Sequence, residues 1–384
     1  MHPIIILGSG LAGYGVAKEL RKLDKTTPLI IITADGGESY SKPMLSNALA
    51  SKKTPAALAM AQSAQMETTL PATLRTRTRV TAIAPERHEI SIGDETIAYS
   101  KLVLALGAEQ IRLPIVDKVG NDADAVLTVN DLDDYAKFRA AIEGGKRVVI
   151  IGAGLIGSEF ANDLAASGHP VDVIDIADRP LGRLLPPEGG ALLKDKLAAL
   201  GARWHFGAGV QSIDRDGAAH KVTLTTGETL NADVVLSAVG LKPRIDLARA
   251  AGLKVNRGIV VNRHMQTSHA DIYALGDCVE IEGLVLPYIM PIMHAARALG
   301  PTLAGTPTEV KYPAMPVLVK TPVCPTVVSP PAPGAVGEWK IEQTADGIKS
   351  LFVDASGKLL GFALNGAATA ERGKLLPLLP AVLP

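Results

Sequence analysis

The sequence opens with Ile4-Ile5-Ile6-Leu7-Gly8-Ser9-Gly10-Leu11-Ala12-Gly13, an apolar run followed directly by three spaced glycines. Such a run is typical of a buried parallel strand. A helix-like stretch continues to Leu23, and a second apolar strand is predicted at 29–33. Asp35 stands just beyond that strand, roughly 20 residues after the last glycine, which is the usual spacing. The order strand, glycine turn, helix, strand, acid predicts a βαβ unit that holds a dinucleotide.

Each part of this unit has a physical task. Gly8 permits the tight turn, Gly10 lets the backbone approach a pyrophosphate, and Gly13 lets the helix pack closely on the strand. Free N–H groups and a partial positive charge at the helix start attract the anion. The acid after the second strand can accept a bond from a ribose hydroxyl. We therefore predict that Gly8, Ser9, Gly10, Leu11, Ala12, Gly13, Thr33, Ala34 and Asp35 bind the first dinucleotide.

A second copy of the unit begins at Val148. The apolar run Val148–Ile151 leads into Gly152-Ala153-Gly154-Leu155-Ile156-Gly157, a helix is expected through Ala166, and Asp175 follows the next apolar run. A carboxylate at this position bonds the adenosine ribose and repels a 2′-phosphate, which favours NADH over NADPH. Arg179 nearby leaves open the alternative of a bound 2′-phosphate. The predicted NADH contacts here are Gly152, Gly154, Leu155, Ile156, Gly157 and Asp175.

The composition limits the possible classes of function. A chain of 384 residues suits two or three domains. With 39 basic and 39 acidic residues it lacks the excess positive charge that general nucleic-acid binding needs. Its two cysteines, Cys278 and Cys324, form neither a disulfide framework nor a zinc motif, and the histidines form no ligand cluster, so no metal is expected. No run is long enough for a membrane span, and we expect a cytoplasmic protein.

Further motifs carry a resemblance to a known family. They are YSKPMLS at 40–46, LVLALGA at 102–108, SAVGLKPR at 237–244, IYALGDC at 272–278 and KTPVCP at 320–325. With the two glycine loops, they make the whole chain resemble the FAD/NAD(P)-dependent pyridine nucleotide reductases of glutathione-reductase-like fold. The last motif resembles the branch of that family that reduces rubredoxin.

The resemblance implies an α/β fold with two Rossmann-like dinucleotide-binding domains and a small α+β domain at the C-terminus. The FAD-binding domain is expected at 1–112 and 243–307, interrupted by an NADH-binding domain at 113–242. Residues 308–384 are expected to form the C-terminal interface domain. Strands are predicted there at 339–342, 350–354 and 359–364, because these segments alternate or run apolar between turns.

The resemblance also assigns residues around the flavin. It places Lys42 beside flavin N5 and pairs it with Glu159, and these two are the predicted catalytic residues. It aims the start of a helix, predicted at 292–299, at the flavin pyrimidine edge. Asp277 is expected to accept a hydrogen bond from the ribityl chain. Besides Lys42, Glu159 and the first glycine loop, the predicted FAD contacts are Pro43, Val80, Ala105, Gly107, Gly276, Asp277, Pro287 and Lys320; Gly240 is added to the NADH contacts.

The route by which electrons leave follows from an absence in the sequence. Related disulfide reductases carry a cysteine pair against the flavin, and residues 34–60 contain no cysteine. Electrons are therefore expected to pass singly to a carrier, which the resemblance identifies as the small acidic protein rubredoxin, serving an alkane-hydroxylating or other rubredoxin-dependent system. Segments free of acids suggest a basic collar that steers it, consisting of Lys42, Lys52, Lys53, Arg297, Lys311 and Lys320.

Other functions remain open from the sequence. The acceptor could be ferredoxin or a flavorubredoxin, and the chain could also be an NADH oxidase, although the missing cysteine argues against that activity. A non-enzymatic flavoprotein that senses NADH is the third alternative. The short C-terminal segment suggests a monomer or a weak dimer.

Overall fold

The computed structural model describes residues 2–113, 126–344 and 346–384. Its framework consists of two five-stranded sheets, and within each sheet all strands run parallel. The first sheet has the strand order Ile272–Ala274, Lys101–Leu104, Ile4–Leu7, Leu29–Ile32, Thr73–Arg75. The second has the order Val126–Leu127, Val234–Ser237, Val148–Ile151, Val171–Asp175, Ala202–Phe206. The central strands are buried along their whole length, which explains their unbroken apolar sequences.

The chain completes the first sheet late, because its edge strand Ile272–Ala274 follows all strands of the second sheet. A short antiparallel pair, Ala108–Gln110 with Leu241–Pro243, joins the two regions where the chain leaves and returns. Residues 114–125, at the start of the expected NADH-binding region, lie outside the described residues.

Smaller antiparallel elements flank the two sheets. One three-stranded sheet consists of Ala82–Ala84, Glu89–Ile92 and Glu95–Ala98, and the other of Val210–Asp216, Ala219–Leu224 and Thr229–Ala232. An antiparallel pair, Ser39–Tyr40 with Ala59–Ala61, completes this set. The further pair Ile259–Val261 with Val279–Ile281 is parallel.

The helices pack on these sheets. The α-helices are Leu11–Leu23, Pro55–Leu58, Ser63–Thr69, Leu132–Ala141, Leu155–Ala166, Pro187–Ala199, Asp246–Ala250, Ile289–Leu303 and Arg372–Leu375, with 3₁₀ turns at Lys42–Asn47, Pro85–Arg87, Ala367–Glu371 and Leu376–Leu378. Helices Leu11–Leu23 and Ile289–Leu303 cross closely, since a Cβ on Gly300 would lie 2.5 Å from Glu19 Cβ. This crossing places the starts of both helices at the same end of the first sheet.

The helix predicted at 292–299 is longer in the structure, Ile289–Leu303. Pro291 lies within its first turn, where a missing N–H removes no intrahelical hydrogen bond, so the helix begins before it. By contrast, the two helices that follow the glycine loops end where the sequence predicted, at Leu23 and at Ala166.

The C-terminal region is a five-stranded antiparallel sheet in the order Val317–Val319, Thr326–Ser329, Leu359–Gly366, Gly347–Val353, Glu338–Thr344. The three predicted strands are present. Two earlier ones were missed because they are only three and four residues long and each directly follows a proline. Val328 and Ala363 of this sheet pack with Leu193 and Leu197 of helix Pro187–Ala199, so the sheet rests on the second dinucleotide unit.

No helix in 2–113, 126–344 and 346–384 has both the length and the apolar character needed to cross a membrane.

Candidate functional site

The first glycine loop has the geometry that its sequence predicts. Gly8 adopts φ +114°, and a Cβ there would lie 2.2 Å from Ala105 O. A Cβ on Gly13 would lie 1.9 Å from Gly8 O, so helix and strand touch at this glycine. A Cβ on Gly10, however, would meet nothing within 4 Å. The middle glycine therefore faces open space at the helix start, which is where an anion would approach.

The second loop repeats this arrangement. Gly152 has φ +107°, and its Cβ would lie 2.7 Å from Ala238 O. The Cβ of an alanine at Gly157 would lie 1.8 Å from Gly152 O, whereas Gly154 again faces open space. Two sites on one chain thus fit a pyrophosphate by the same device.

In each βαβ unit, the acid that follows the second strand is held beside the glycine loop of that unit by hydrogen bonds. Asp35 Oδ1 accepts hydrogen bonds from Ser9 Oγ (2.9 Å) and Thr33 Oγ1 (2.7 Å). Asp175 accepts from the backbone N–H of Ala153 at 2.6 Å. Each carboxylate is therefore oriented at the mouth of its loop, and its negative charge lies where a ribose would follow the pyrophosphate.

Beside Asp175, Arg179 is engaged with the protein itself. Its Nη1 donates to Asp178 Oδ1 at 2.7 Å, and its methylene groups pack where a Cβ on Gly190 would lie. Asp178 is thus the ion-pair partner of Arg179, and the preference for NADH remains a prediction.

Open α/β sheets bind ligands beyond the carboxyl ends of their strands. In the first sheet this edge carries the first glycine loop and the segments that follow Leu104 and Ala274, and we refer to it as the crevice. Gly107 has φ +68° and open space at its Cβ position, and Gly276 has φ +89° with its Cβ position 2.8 Å from Ala12 Cβ. Asp277 follows Gly276 and is half-buried. Burial raises the pKa of its carboxyl, and the charge of Lys42 opposes that shift. Lys42 and Asp277 thus face the same crevice as the first glycine loop.

The expected ion pair between Lys42 and Glu159 is wrong. Lys42 Nζ instead donates to Asn130 Oδ1 at 2.5 Å. Glu159 is fully buried and pairs with Lys320 Nζ, while its two oxygens also accept from Ser46 Oγ and from the Lys320 backbone N–H. The physical reason is that Lys320, from the C-terminal region, satisfies the buried carboxylate in place of Lys42.

Helix Leu155–Ala166 carries two further polar contacts on the same face as Glu159. Asp163 accepts hydrogen bonds from the N–H groups of Leu49 (2.9 Å) and Ala50 (2.8 Å), and Asn162 Oδ1 accepts from Val323 N–H (3.3 Å). Burial raises the pKa of Asp163, and the two N–H bonds oppose the shift. The helix that begins at the second glycine loop therefore contacts both the Lys42 segment and the C-terminal sheet.

Four further predicted residues have positions that define no role. Val80 packs against the first core, Pro287 is exposed, and Gly240 adopts φ +112° beside Ile111. Pro43 lies in the 3₁₀ turn that carries Lys42. Their roles as cofactor contacts stay predictions.

Sequence reasoning missed several residues at the crevice. Asn130 and Ser46 were not singled out, because their partners lie 88 and 113 residues away in sequence. The helix start at 288–290 presents three apolar side chains that are more than a third exposed, which is unusual for such residues. They are Tyr288, Ile289 and Met290. The sequence placed this helix start near the flavin, but their exposure could not be predicted from it.

Both cysteines are free and buried. Cys278 is fully buried against Leu104 O and Leu275 O, and burial raises the pKa of its thiol to about 12. Cys324 belongs to the C-terminal region, and burial raises the pKa of its thiol as well. In the described part of the chain, no group of three or more His, Cys, Asp or Glu side chains could hold a metal ion.

Two equivalent cradles on parallel sheets, with a cationic and an anionic group at the crevice of the first, define the class of two-dinucleotide oxidoreductases. Residues 2–300 match the family model of the pyridine nucleotide-disulphide oxidoreductases. The chain belongs to this family. Residues 309–379 match the model of a rubredoxin binding C-terminal domain. The resemblance seen in the sequence is thereby confirmed, as are the α/β fold and the cofactors FAD and NAD(H) that the family uses.

Named relatives cover the whole chain. It is 47% identical to the rubredoxin-NAD(+) reductase of Alcanivorax borkumensis, with all of both chains covered. It is also 47% identical to the rubredoxin-NAD(+) reductase of Acinetobacter baylyi, covering 100% of this chain and 99% of that one. Among solved structures, a ferredoxin reductase for the CYP199A2 system from Rhodopseudomonas palustris is similar at 27% identity with a TM-score of 0.88, covering 100% of this chain and 96% of that one.

Proposed function

We propose that this chain is an enzyme that takes hydride from NADH onto bound FAD and delivers the electrons one at a time to rubredoxin. The observation that carries the proposal is the pair of equivalent glycine cradles, joined on the same chain to a C-terminal sheet of the rubredoxin binding type. Full-length similarity to two rubredoxin-NAD(+) reductases supports the same acceptor.

The chain's own residues divide the work between two sites. In the first loop, the open face of Gly10 and the helix start would hold the FAD pyrophosphate, with Asp35 at the ribose. In the second, Gly154 and Asp175 would do the same for NADH. When bound, FAD supplies a ring that accepts two electrons together and releases them singly. The protein contributes position and electrostatics rather than a catalytic acid or base.

Lys42 is the cation best placed to favour an electron-rich ring. Its segment faces Asp277 at the crevice, and burial lowers the pKa of its ammonium group while Asp277 opposes that shift. A positive charge at this place stabilises negative charge that develops when electrons arrive. Glu159 serves the site differently from our expectation, since it fixes Lys320 and Ser46 at the edge of the crevice.

Electrons leave without a thiol relay in this proposal. Cys278 is shielded from solvent, its thiol stays protonated near neutral pH, and Cys324 is in another region of the fold. A disulfide exchange step needs a thiolate that its partner can reach. Both conditions fail at the described cysteines, which favours direct transfer to a carrier.

The basic collar needs revision as a steering surface. Lys320 is paired with Glu159 and Lys42 is bonded to Asn130, so neither is a free surface charge. The exposed members are Lys52, Lys53, Arg297 and Lys311. We retain these four as the group that would attract an acidic carrier at low ionic strength.

The remaining expectations belong to the same proposal. We assign FAD binding to 1–112 and 243–307, NADH binding to 113–242 and the interface role to 308–384. A monomer or weak dimer in the cytosol, serving an alkane-hydroxylating or other rubredoxin-dependent system, is consistent with two free thiols and with the resemblance.

A stopped-flow experiment tests the proposal. The purified flavoprotein is mixed with NADH or NADPH, and the loss of yellow flavin absorbance gives the rate of hydride transfer. The reduced protein is then mixed with rubredoxin, ferredoxin, a flavorubredoxin or oxygenated buffer. We expect fast reduction by NADH and fast oxidation by rubredoxin, with oxygen slow.

The controls separate the alternatives. Faster oxidation by ferredoxin or a flavorubredoxin would reassign the acceptor, and rapid oxygen consumption would make the chain an oxidase. If NADH reduces the flavin slowly whichever acceptor is present, the result would favour a non-enzymatic flavoprotein that senses NADH. A Lys52→Glu, Lys53→Glu variant should slow rubredoxin reduction and flatten its dependence on salt. The control is Lys25→Glu, because Lys25 is exposed beyond the C-terminal end of helix Leu11–Leu23, away from the glycine loop and the C-terminal sheet.

A further inference from the structure

We propose that Asn130 is a positioning residue that holds the Lys42 ammonium at the flavin crevice and, being neutral, leaves its positive charge available to the ring. This inference rests on the proposed function. It concerns a residue that neither the glycine loops nor the family motifs contain.

The amide of Asn130 can face Lys42 in one orientation only. Its Nδ2 donates to Ala108 O at 3.1 Å, so its Oδ1 must point to the Lys42 ammonium. The residue is 7% exposed, and water therefore cannot replace either contact freely. Ala108 directly follows Gly107 at the crevice, so the amide joins Lys42 to the backbone that lines the site.

The backbone of Asn130 is held as firmly as its side chain. Its N–H donates to Asp134 Oδ2 at 3.0 Å, and Asp134 N–H donates to Asp131 Oδ1 at 2.8 Å. Asp131 is the N-cap of helix Leu132–Ala141. These two hydrogen bonds fix Asn130 directly before the N-cap of a helix that packs in the core of the second sheet.

The charges around Lys42 explain why a neutral partner matters. Among the described residues, no carboxylate forms an ion pair with Lys42, and Glu159 pairs with Lys320 instead. Burial and Arg244 lower the pKa of Lys42, and the more distant Asp277, Asp131 and Asp134 raise it in part. The Lys42 ammonium is thus held by the neutral amide of Asn130, and no carboxylate in direct contact neutralises its positive charge. A cation in this state stabilises a reduced ring more than a paired one would.

Asn130→Asp tests the inference with almost no change in shape. The variant puts a carboxylate on the ammonium, which neutralises the site and raises the pKa of Lys42. We expect the equilibrium between reduced and oxidised flavin to shift about tenfold toward the oxidised form, a fall of about 30 mV in a two-electron midpoint potential. In the pH profile of the rate of flavin reduction by NADH, the fall on the alkaline side should move to higher pH.

Asn130→Ala tests the positioning role separately. It releases the ammonium, so reduction by NADH should slow about tenfold while the flavin content and the thermal unfolding of the full chain change little. Asn231→Asp makes the same chemical change on an exposed strand and should leave the potential and the pH profile unchanged.

The outcomes are decisive in either direction. A wild-type potential and pH profile in Asn130→Asp, or a wild-type rate of reduction by NADH in Asn130→Ala, would overturn the inference. If Asn130→Asp does not retain flavin, Asn130→Ser, which removes the amide and adds no charge, decides by the same potential and rate measurements. Failure of the wild-type protein to be reduced by NADH would instead overturn the proposed function, so the two failures are distinguishable.

Discussion

Exchanging Lys320 for methionine should destabilise the protein more than exchanging Glu159 for glutamine, although both changes break the same ion pair. Glu159 is 0% exposed, whereas the Lys320 side chain is 29% exposed. Lys320→Met leaves a carboxylate that cannot reach water, with hydrogen bonds only from Ser46 Oγ and the residue-320 N–H. Glu159→Gln leaves an ammonium that can turn toward solvent.

The magnitudes follow from the cost of buried charge. An ionised group left unpaired in a buried site costs about 3–5 kcal/mol, which we expect for Lys320→Met. Loss of one partner from a charged hydrogen bond costs about 1–3 kcal/mol, which we expect for Glu159→Gln. The double variant should lose less free energy of unfolding than the two single variants lose together, because it leaves no unpaired charge. We expect the difference, which is the coupling energy, to be about 1–3 kcal/mol.

Urea unfolding of the flavin-loaded protein measures these differences, with FAD held at one concentration since a bound ligand shifts stability. Lys349→Met is the matched control, because Lys349 pairs with Glu342 and Glu371 at the surface and should cost less than about 1 kcal/mol. Additive losses in the double variant, or a larger loss for Glu159→Gln than for Lys320→Met, would refute the reasoning.

Three further predictions concern the cradles and the thiols. Gly10→Ala should leave the apoprotein stable and lower FAD affinity at least about tenfold, whereas Gly13→Ala should also lower the melting temperature, as flavin content and thermal unfolding will show. Asp175→Asn should raise KM for NADH about tenfold and narrow the NADH-to-NADPH ratio of kcat/KM; an unchanged ratio contradicts the assignment. Cys278→Ala and Cys324→Ala should cost about 1 kcal/mol each and leave rubredoxin reduction rates intact; a large loss with flavin retained would point to a sulfur route.

Local patterns made much of the fold predictable. The glycine loops depend on residues that lie close in sequence, and Gly8 and Gly13 show the backbone contacts that their spacing predicts. The strand pattern was equally clear where burial is complete, as in Val148–Ile151. The strands Val317–Val319 and Thr326–Ser329 were hidden because they are only three and four residues long and each directly follows a proline, so neither shows a clear period.

The charge pairing could not be read from the sequence in the same way. Lys42, Glu159 and Lys320 come from three distant segments, and which lysine reaches the glutamate depends on how the C-terminal sheet rests on helix Leu155–Ala166. Family resemblance gave the residues but the wrong partner. Asn130 carried no signal at all, since a single asparagine before a helix is ordinary capping chemistry.

The late return of the chain to the first sheet has a consequence for synthesis on the ribosome. Strand Ile272–Ala274 must pair with Lys101–Leu104, which emerged about 170 residues earlier, whereas every strand of the second sheet is complete by Ser237. The later-encoded sheet can therefore fold first, while the earlier one waits with an open edge. Chaperone protection during translation should matter most in that interval, because an unpaired strand edge is prone to aggregation.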